Sequence, residues 1–301
     1  MNNIFFNNAG RVRSGWRSLV FLVSFLLLST LLIILSLAVI KQLPAGAATA
    51  RFMPLTLPFA ISAVVAITFG AVYGKLFEQL PFRSLGISFR GSWLQHFLLG
   101  AVLGSVALCS GMLSAVAVGG LSLSINRQSS LQSISATLIT TLVIFLVGAL
   151  SEETLFRGYL LQTLTRANSV VVGIVLTSLL FAFAHNNNPG ANPLSIINTL
   201  LAGIWFAIAY LKTYDLWFPL GIHFMWNWLQ GPVFGINVSG VAELSSDPIL
   251  RTADLGPAWL TGGGYGLEGG VACTFAIIVS IGLIYYLPLP RADQEMLELN
   301  A

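Results

Sequence analysis

The chain has 301 residues, of which 56% are hydrophobic and only 8% charged, whereas soluble domains carry about a quarter charged residues. Its mean hydropathy is +0.84 and its pI about 9.0. This composition excludes an ordinary soluble domain and predicts an integral membrane protein. The net charge of +3 comes from basic residues scattered between apolar blocks. We therefore expect the lipid bilayer, and no nucleic acid, as a partner, and we interpret these basic residues as topology signals.

Eight apolar blocks follow one another along the chain, most of them near the roughly 20 residues that a spanning helix needs. Together they predict an all-α fold, a polytopic transmembrane helix bundle of about eight spans that forms a single integral membrane domain over residues 1–301. The predicted spans are Leu19–Ile40, Leu55–Tyr73, Leu94–Val118, Ile134–Leu164, Val170–His185, Leu194–Leu211, Trp217–Phe234 and Gly270–Leu287.

The lysine and arginine residues between these blocks predict the orientation. If the N-terminus is cytoplasmic, nine basic residues lie in inner segments and four in outer ones, which satisfies the positive-inside rule with both termini cytoplasmic. The inner nine are Arg11, Arg13, Arg17, Lys75, Arg83, Arg90, Arg166, Lys212 and Arg291, and the outer four are Lys41, Arg51, Arg127 and Arg251.

Three further features depart from simple spans. The block from Ile134 to Leu164 is too long for one crossing, so we expect it to be tilted, broken or extended beyond the bilayer. The pairs Gly70/Gly74 and Gly100/Gly104 have the spacing of close helix packing, although chance explains such pairs equally well in a chain with 29 glycines. The segment 235–268 contains the run TGGGYG but no phosphate-binding lysine, and it reads as a flexible external loop.

Three charged residues stand inside the fourth span, in the stretch Gly148–Leu160. Each ionised group at the centre of a membrane helix costs about 2.5–3.5 kcal/mol, so such groups are typically paired or functional. Glu153 and Arg157 are four residues apart and can form an ion pair on one helix face. Glu152 points about 100° away and has no obvious local partner, which suits a general base or a metal ligand.

Two other spans carry polar groups at comparable depth. His185 ends the fifth span, and His223 and Asn227 share one face of the seventh. At 1.5 Å per residue, Glu152 lies about 21 Å from Arg166 and His185 about 24 Å from Ser169, so these side chains can meet in one buried site. Taken singly, each has a structural interpretation: an interfacial histidine, an interhelical amide or a structural ion pair. Their convergence from three spans favours a functional site.

These residues form three ordered motifs that resemble the signature of the CPBP intramembrane proteases. That family includes the CAAX prenyl endopeptidases and the bacterial abortive infection or bacteriocin self-immunity proteins. The resemblance covers roughly residues 140–230, which we therefore interpret as the protease core. The motifs are Glu152-Glu153-x-x-x-Arg157, Phe181-x-x-x-His185 and His223-x-x-x-Asn227.

The resemblance implies an intramembrane endopeptidase, of a family usually described as metalloproteases, that hydrolyses a peptide or protein substrate in or at the membrane; we therefore expect a CAAX-protease-like metalloendopeptidase. By it, Glu152 and His185 activate a water, while His223 and Asn227 steady the oxyanion. Glu153, Arg157 and Phe181 then support the geometry of the site. Glu152, His185 and His223 are also a permissible ligand set for a divalent metal such as zinc, so metal-dependent and metal-free mechanisms are both open.

Two other functions remain open at this stage. A non-enzymatic immunity or peptide-binding protein would use the same cluster for binding. A proton-coupled carrier would also place carboxylates and imidazoles in the membrane, although the hydropathy pattern shows no inverted repeat. We expect location in a bacterial-type cytoplasmic membrane.

Overall fold

Every apolar block predicted as a span forms a helix in the computed structural model, which describes residues 4–7, 10–42, 48–167, 169–286, 288, 292 and 294–300. The helices that coincide with these blocks are α1 (Ser14–Ile40), α2 (Ala48–Glu78), α3 (Trp93–Ala117), α4 (Leu131–Glu153) with α5 (Leu161–Thr165), α6 (Val170–Ala184), α7 (Pro193–Thr213), α8 (Trp217–Trp228) and α10 (Val271–Tyr286). Two shorter helices, α9 (Ala258–Thr261) and α11 (Gln294–Asn300), complete the set among the described residues.

Five of these helical stretches are long and apolar enough to cross a membrane, as expected of an integral membrane protein. Two further apolar helices, α6 and α10, are shorter than a full span, with 15 and 16 residues. The count of eight spans and the cytoplasmic placement of both termini stay predictions. Leu287, at the end of the eighth predicted span, and Arg291, used in the orientation count, lie outside the described residues.

The over-long fourth block is one continuous helical stretch of 35 residues, Leu131–Thr165. It is interrupted in the middle, because Thr154–Leu160 winds as a π-helix between α4 and α5. Helix α8 likewise passes into a π-helical turn, Leu229–Val233, which contains Pro232. Wide turns of this kind frequently occur at functional sites. Here both begin within two residues of a motif residue.

Helices α3 and α8 pack with almost no space between their backbones. A Cβ atom added at Gly100 or Gly104 would collide with backbone oxygens of Phe218 and Ile222, respectively. Gly221 returns the contact, because its Cβ would collide with the backbone of Phe97. The Gly100/Gly104 pair therefore does mark close helix packing, and it fixes the helix that carries His223 and Asn227.

The other glycine pair does not pack in this way. A Cβ at Gly74 would meet nothing within 4 Å, and one at Gly70 would meet the side chain of Leu85 at 3.0 Å. The same small-xxx-small spacing therefore accompanies close helix packing at one pair and not at the other, depending on whether a helix backbone lies opposite the glycines.

The fold is not purely helical. Strand β1 (Leu121–Ile125) pairs antiparallel with β2 (Leu250–Asp254), with Leu121 opposite Asp254. Both strands lie in segments predicted to be external, where backbone groups outside a helix need partners of their own. The departure from an all-α fold is limited to this two-stranded sheet and two isolated bridges within the described residues.

The segment 235–268 folds back onto the helices, whereas the sequence indicated a flexible connection. It contains β2, α9 and short 3-10 turns that include Gly263–Tyr265 and Leu267–Gly269. Gly262 and Gly266 have φ of 90° and 101°, conformations that a side chain would strain. The TGGGYG run therefore supplies tight turns rather than flexibility.

A cluster of charged side chains joins the end of α2 to the start of α1 and the end of α5. Glu78, the last residue of α2, lies 3.4 Å from Arg17 of α1 and 2.9 Å from Arg166, which follows α5. Arg166 also donates a hydrogen bond to Asn300 of α11. Two of the basic residues that we read only as topology signals thus also link helix ends.

Candidate active site

Glu152, near the end of α4, meets one imidazole from α6 and one from α8. Its Oε2 atom lies 3.9 Å from Nε2 of His185 and 3.8 Å from Nε2 of His223. Within the described part of the chain, this Oε2 atom is buried and has no hydrogen-bond donor. The structure therefore brings together three of the four side chains for which the sequence predicted a meeting.

The hydrogen bonds at the other ring nitrogens fix which tautomers the two histidines adopt. Nδ1 of His185 lies 2.8 Å from the carbonyl oxygen of Phe181, and Nδ1 of His223 lies 2.9 Å from Oε1 of Glu153. Since both partners accept, both Nδ1 atoms donate, and each neutral ring has a free acceptor at Nε2. In these neutral tautomers, Glu152, His185 and His223 each present an acceptor atom to the same space.

Glu153 has a different environment from its neighbour. Its Oε1 atom accepts hydrogen bonds from Nη1 of Arg157 at 3.1 Å and from His223. Arg157 also donates to the carbonyl oxygen of Gly203 at 3.0 Å, and both charged side chains are fully buried. The ion pair predicted from the i,i+4 spacing is present, and it ties α4 to α7 and α8.

Aromatic rings enclose this ionic group. The Arg157 guanidinium lies 4.7 Å from the ring centroid of Phe181 and 5.1 Å from that of Phe206. Phe206 also stacks on His223, with centroids 4.7 Å apart and planes at 15°. Cation–π contact of this kind stabilises a guanidinium that is removed from water. Phe181 was singled out from the sequence, whereas Phe206 was not.

A cavity of about 780 Å³ opens in front of Glu152. His185, His223 and Asn227 line it together with Glu152, so all four residues predicted to be catalytic reach one space. Asn227 lies one turn after His223 on α8 and is partly accessible. The sequence therefore predicted the meeting of these side chains, while their chemical roles remain predictions.

One side of the cavity reaches the outer apolar surface of the bundle. Leu26 of α1 and Phe183 of α6 line the cavity and are also 51% and 77% exposed. Phe59 of α2 contributes to the same wall. In a bilayer, exposed apolar side chains of this kind face lipid, so the cavity has an apolar side toward the membrane.

The segment 235–268 supplies another wall, which the sequence did not predict. Glu268 and Ser239 both line the cavity, and Ser239 donates to Oε2 of Glu268 from its backbone N–H at 2.5 Å. The signal available in the sequence was a single carboxylate among glycines, two residues before a span. We had assigned the whole segment to an external loop.

The third histidine of the chain lies elsewhere. Nδ1 of His96 on α3 contacts Oδ2 of Asp215 at 3.0 Å, and neither residue is among those that line the cavity. This agrees with the interpretation of His96 as a hydrogen-bonded residue near a span end.

The fit of a metal ion can be tested on these distances. Carboxylate and imidazole are suitable donors, but ligands of a tetrahedral ion at bond lengths near 2.0–2.1 Å are about 3.3–3.4 Å apart. The two distances from Glu152 Oε2, 3.8 and 3.9 Å, exceed that spacing. Among the described residues no three His, Cys, Asp or Glu side chains form a metal-binding group. As these side chains stand, they do not fit a closed metal site.

The apolar helices indicate an integral membrane protein, and a mostly apolar cavity in it contains the polar side chains of Glu152, His185, His223 and Asn227. Residues 134–229 match the family model Rce1-like, described as type II CAAX prenyl endopeptidase Rce1-like. The matched segment contains all three motifs and is similar to the type II CAAX prenyl endopeptidases that the model describes.

One curated relative is similar to this chain over a stretch of 94 residues. The "Uncharacterized 24.3 kDa protein" of Escherichia coli is 33% identical over 94 residues, which are 31% of this chain and 42% of the relative. The chain thus spans less than half of that relative's length, and its printed name carries no activity.

Proposed function

We propose that this protein is an intramembrane endopeptidase in which Glu152 and His185 activate a water for attack on a peptide bond. The observation that supports this most strongly is the group of three facing acceptors: Glu152 Oε2, His185 Nε2 and His223 Nε2. A water molecule between them has two O–H groups to donate and relieves the unsatisfied Glu152 oxygen. It would also be held ready to react.

The hydrolysis then follows from the proton positions. Glu152 takes one proton from the water, and the resulting hydroxide oxygen attacks the carbonyl carbon of the scissile bond. As the C–N bond breaks, Glu152 returns that proton to the leaving nitrogen. The first products are a carboxylic acid, which keeps the other proton of the water, and an amine. Transfer of that proton to the amine gives a carboxylate and an ammonium group, and the carboxylate of Glu152 is regenerated.

The tautomers divide the supporting roles between His223 and Asn227. His223 donates through Nδ1 to Glu153, so its Nε2 accepts a hydrogen bond from the water rather than donating one to an oxyanion. The Asn227 amide can donate, and it lines the same cavity. We therefore assign oxyanion stabilisation to Asn227. Glu152 accepts one O–H of the water, and His185 and His223 share the orientation of the other.

The buried network behind the histidines would hold this geometry. Glu153 fixes the orientation of His223, while Arg157 and Phe181 hold Glu153 and His185 in place. Positioning groups of this kind contribute because a misplacement of about 1 Å can cost about 100-fold in rate. The apolar side of the cavity would admit a peptide segment embedded in the membrane.

The test is cleavage by the purified full-length protein in proteoliposomes. A library of apolar peptides is incubated in H2¹⁸O, and mass spectrometry identifies the products. We expect wild type to yield one ¹⁸O in each new carboxylate, and Glu152→Ala and His185→Ala to yield none above background. Glu243→Gln, at an exposed carboxylate, is the matched control. Equal cleavage by wild type and Glu152→Ala contradicts the proposal.

Zinc dependence is decided separately. If Glu152, His185 and His223 hold a metal, chelation abolishes cleavage and zinc restores it. Because the observed spacing is too wide for such a set, we expect cleavage to survive chelation. Metal analysis of the protein before chelation provides a second readout.

A binding protein without enzymatic activity is the alternative, since the enclosed cavity also suits a peptide ligand. In that case Glu152→Gln, which preserves the shape of the side chain but removes its charge, would protect cells against a peptide toxin as well as wild type does. Loss of protection with loss of cleavage would favour the enzyme.

A further inference from the structure

Among the described residues, the lining of the cavity contains two carboxylates, Glu152 and Glu268, but no lysine or arginine. Arg157, a cation behind this wall, is engaged with Glu153 and Gly203 and is fully buried. Neither carboxylate in this described lining therefore has a lysine or arginine beside it in the cavity.

Glu268 is held rigidly at its place in this wall. Nδ2 of Asn198 on α7 donates to the backbone oxygens of Glu268 and Gly270 at 2.8 and 2.9 Å. The carboxylate accepts hydrogen bonds from the Trp226 indole at 3.3 Å and from the backbone and hydroxyl of Ser239. Ordering of this kind, from three separate elements, fixes the carboxylate before any ligand arrives.

All the groups that donate to Glu268 in these bonds are neutral. A carboxylate has about four acceptor positions, and Trp226 and Ser239 occupy three of them. The side chain remains partly accessible, toward the cavity that it lines. The side chain of Gln230 also hydrogen-bonds to this carboxylate, so its charge is solvated by neutral dipoles but not neutralised by a cation.

Burial has the expected effect on this group. Removal from water raises the pKa of Glu268, while the hydrogen bond from the Ser239 backbone acts in the opposite direction. A cation brought into contact would favour the charged form and offset that penalty. A neutral ligand would offset this penalty less, because neutral donors already surround the carboxylate.

We propose, on the basis of the function proposed above, that Glu268 is a specificity-determining residue that binds a lysine or arginine side chain of the substrate near the scissile bond. The remaining lining is mostly apolar, so the substrate is an apolar peptide segment with one basic residue. By the same charge argument, a peptide that must bring a free carboxylate into the cavity is disfavoured.

The test compares peptides that differ in one side chain. Quenched fluorescent peptides of one apolar sequence carry lysine, norleucine or glutamate at successive positions from the cleaved bond. A charge-assisted hydrogen bond in a buried setting gives roughly a 10- to 100-fold preference. We expect that ratio of kcat/KM, lysine over norleucine, at one position in wild type, and a ratio within about twofold in Glu268→Gln.

Two further variants keep the test independent of folding. Glu268→Asp retains the charge and should retain a preference for lysine, whereas Glu268→Lys should prefer the glutamate peptide. Thermal unfolding in detergent checks that each variant is folded. Cleavage by wild type without any preference for lysine overturns this inference and leaves the endopeptidase intact.

Binding provides a readout that does not need cleavage. Fluorescence anisotropy with the Glu152→Gln protein measures the affinity for the lysine and norleucine peptides directly. If no peptide is cleaved by wild type, the endopeptidase proposal fails, while a lysine preference in binding that Glu268→Gln removes still supports the site. Equal affinities for the two peptides contradict it.

Discussion

A buried carboxylate at one end of the bundle has cationic neighbours, whereas one in the cavity does not. At the end that includes α11, Glu78 lies between two guanidinium groups, Arg17 and Arg166. In the cavity, Glu152 faces two imidazoles and no lysine or arginine among the described residues. Each carboxylate keeps one buried oxygen without a donor among those residues, but the first is neutralised by two guanidinium groups, whereas the second is not.

Glu153 shows that this difference is not one of depth. It is adjacent to Glu152 in sequence, fully buried, and paired with Arg157. A paired charge can be structural, and a buried ion pair is costly mainly when one partner is removed. A carboxylate that stays unpaired beside two acceptors is one that a reacting molecule must satisfy. The comparison therefore separates structural charges from chemical ones.

The largest effect on stability is expected where the ion pair is fully buried. Glu153→Gln leaves the Arg157 guanidinium without its counter-ion, at a cost of about 3–5 kcal/mol in the free energy of unfolding. The double variant Glu153→Gln/Arg157→Met should recover most of that loss, because no charge is then left unpaired. Denaturant titration in detergent micelles measures both. A single variant as stable as wild type would mean that this pair is not structural.

The next effect concerns the contact between α3 and α8. Gly104→Val forces its side chain against the backbone of Ile222, so α8 must shift, at about 1–3 kcal/mol. Because α8 carries His223 and Asn227, we expect cleavage to fall about 100-fold. Gly74→Val, where a Cβ meets nothing within 4 Å, is the matched control. Similar cleavage rates in the two variants would show that α8 is not held by this contact.

A smaller effect is expected at the Glu78 cluster. Arg166→Gln removes one of two cations, and Arg17 remains to neutralise the carboxylate, so we expect a loss of about 1–2 kcal/mol in the free energy of unfolding. The value of kcat/KM should stay within about twofold of wild type. A large fall in activity without a loss of stability would place this cluster in the chemistry and erase the contrast between the two ends.

The smallest effect is a pH dependence of specificity. The titratable groups that interact with Glu268 are His185, Tyr265 and Cys273, and burial raises the pKa of Tyr265 to about 12. Tyr265 therefore stays neutral in acid. As the pH falls through the raised pKa of Glu268, its carboxylate is protonated and loses its charge. The preference for lysine over norleucine should decline toward unity. A ratio that is constant with pH would show that charge does not determine it.

The positions of the helices could be predicted from the sequence, because hydropathy alone locates membrane helices. It also predicted the meeting of Glu152, His185 and His223, since charges and imidazoles are costly in lipid and each lay at a similar depth. The i,i+4 spacing likewise identified the pair of Glu153 and Arg157. Each of these predictions depends only on residue type and on position along the chain.

What the sequence did not predict depends on contacts between distant segments. Glu268 reaches the cavity because Asn198, Ser239 and Trp226 hold its segment, and none of these contacts leaves a periodic pattern. The pairing of Leu121–Ile125 with Leu250–Asp254 was missed for the same reason. Gly74 and Gly104 have the same spacing signal but different neighbours, which only the three-dimensional packing reveals.

The role of Glu152 is tested most directly by separating substrate binding from the chemical step. Single-turnover cleavage and peptide affinity are measured for wild type and Glu152→Gln with one susceptible peptide. General-base catalysis contributes about 100- to 10,000-fold, so we predict a fall of that size in the cleavage rate, with the dissociation constant within about threefold. A Glu152→Gln protein that cleaves at the wild-type rate, or that loses cleavage only because it no longer binds the peptide, would contradict the role assigned to this carboxylate.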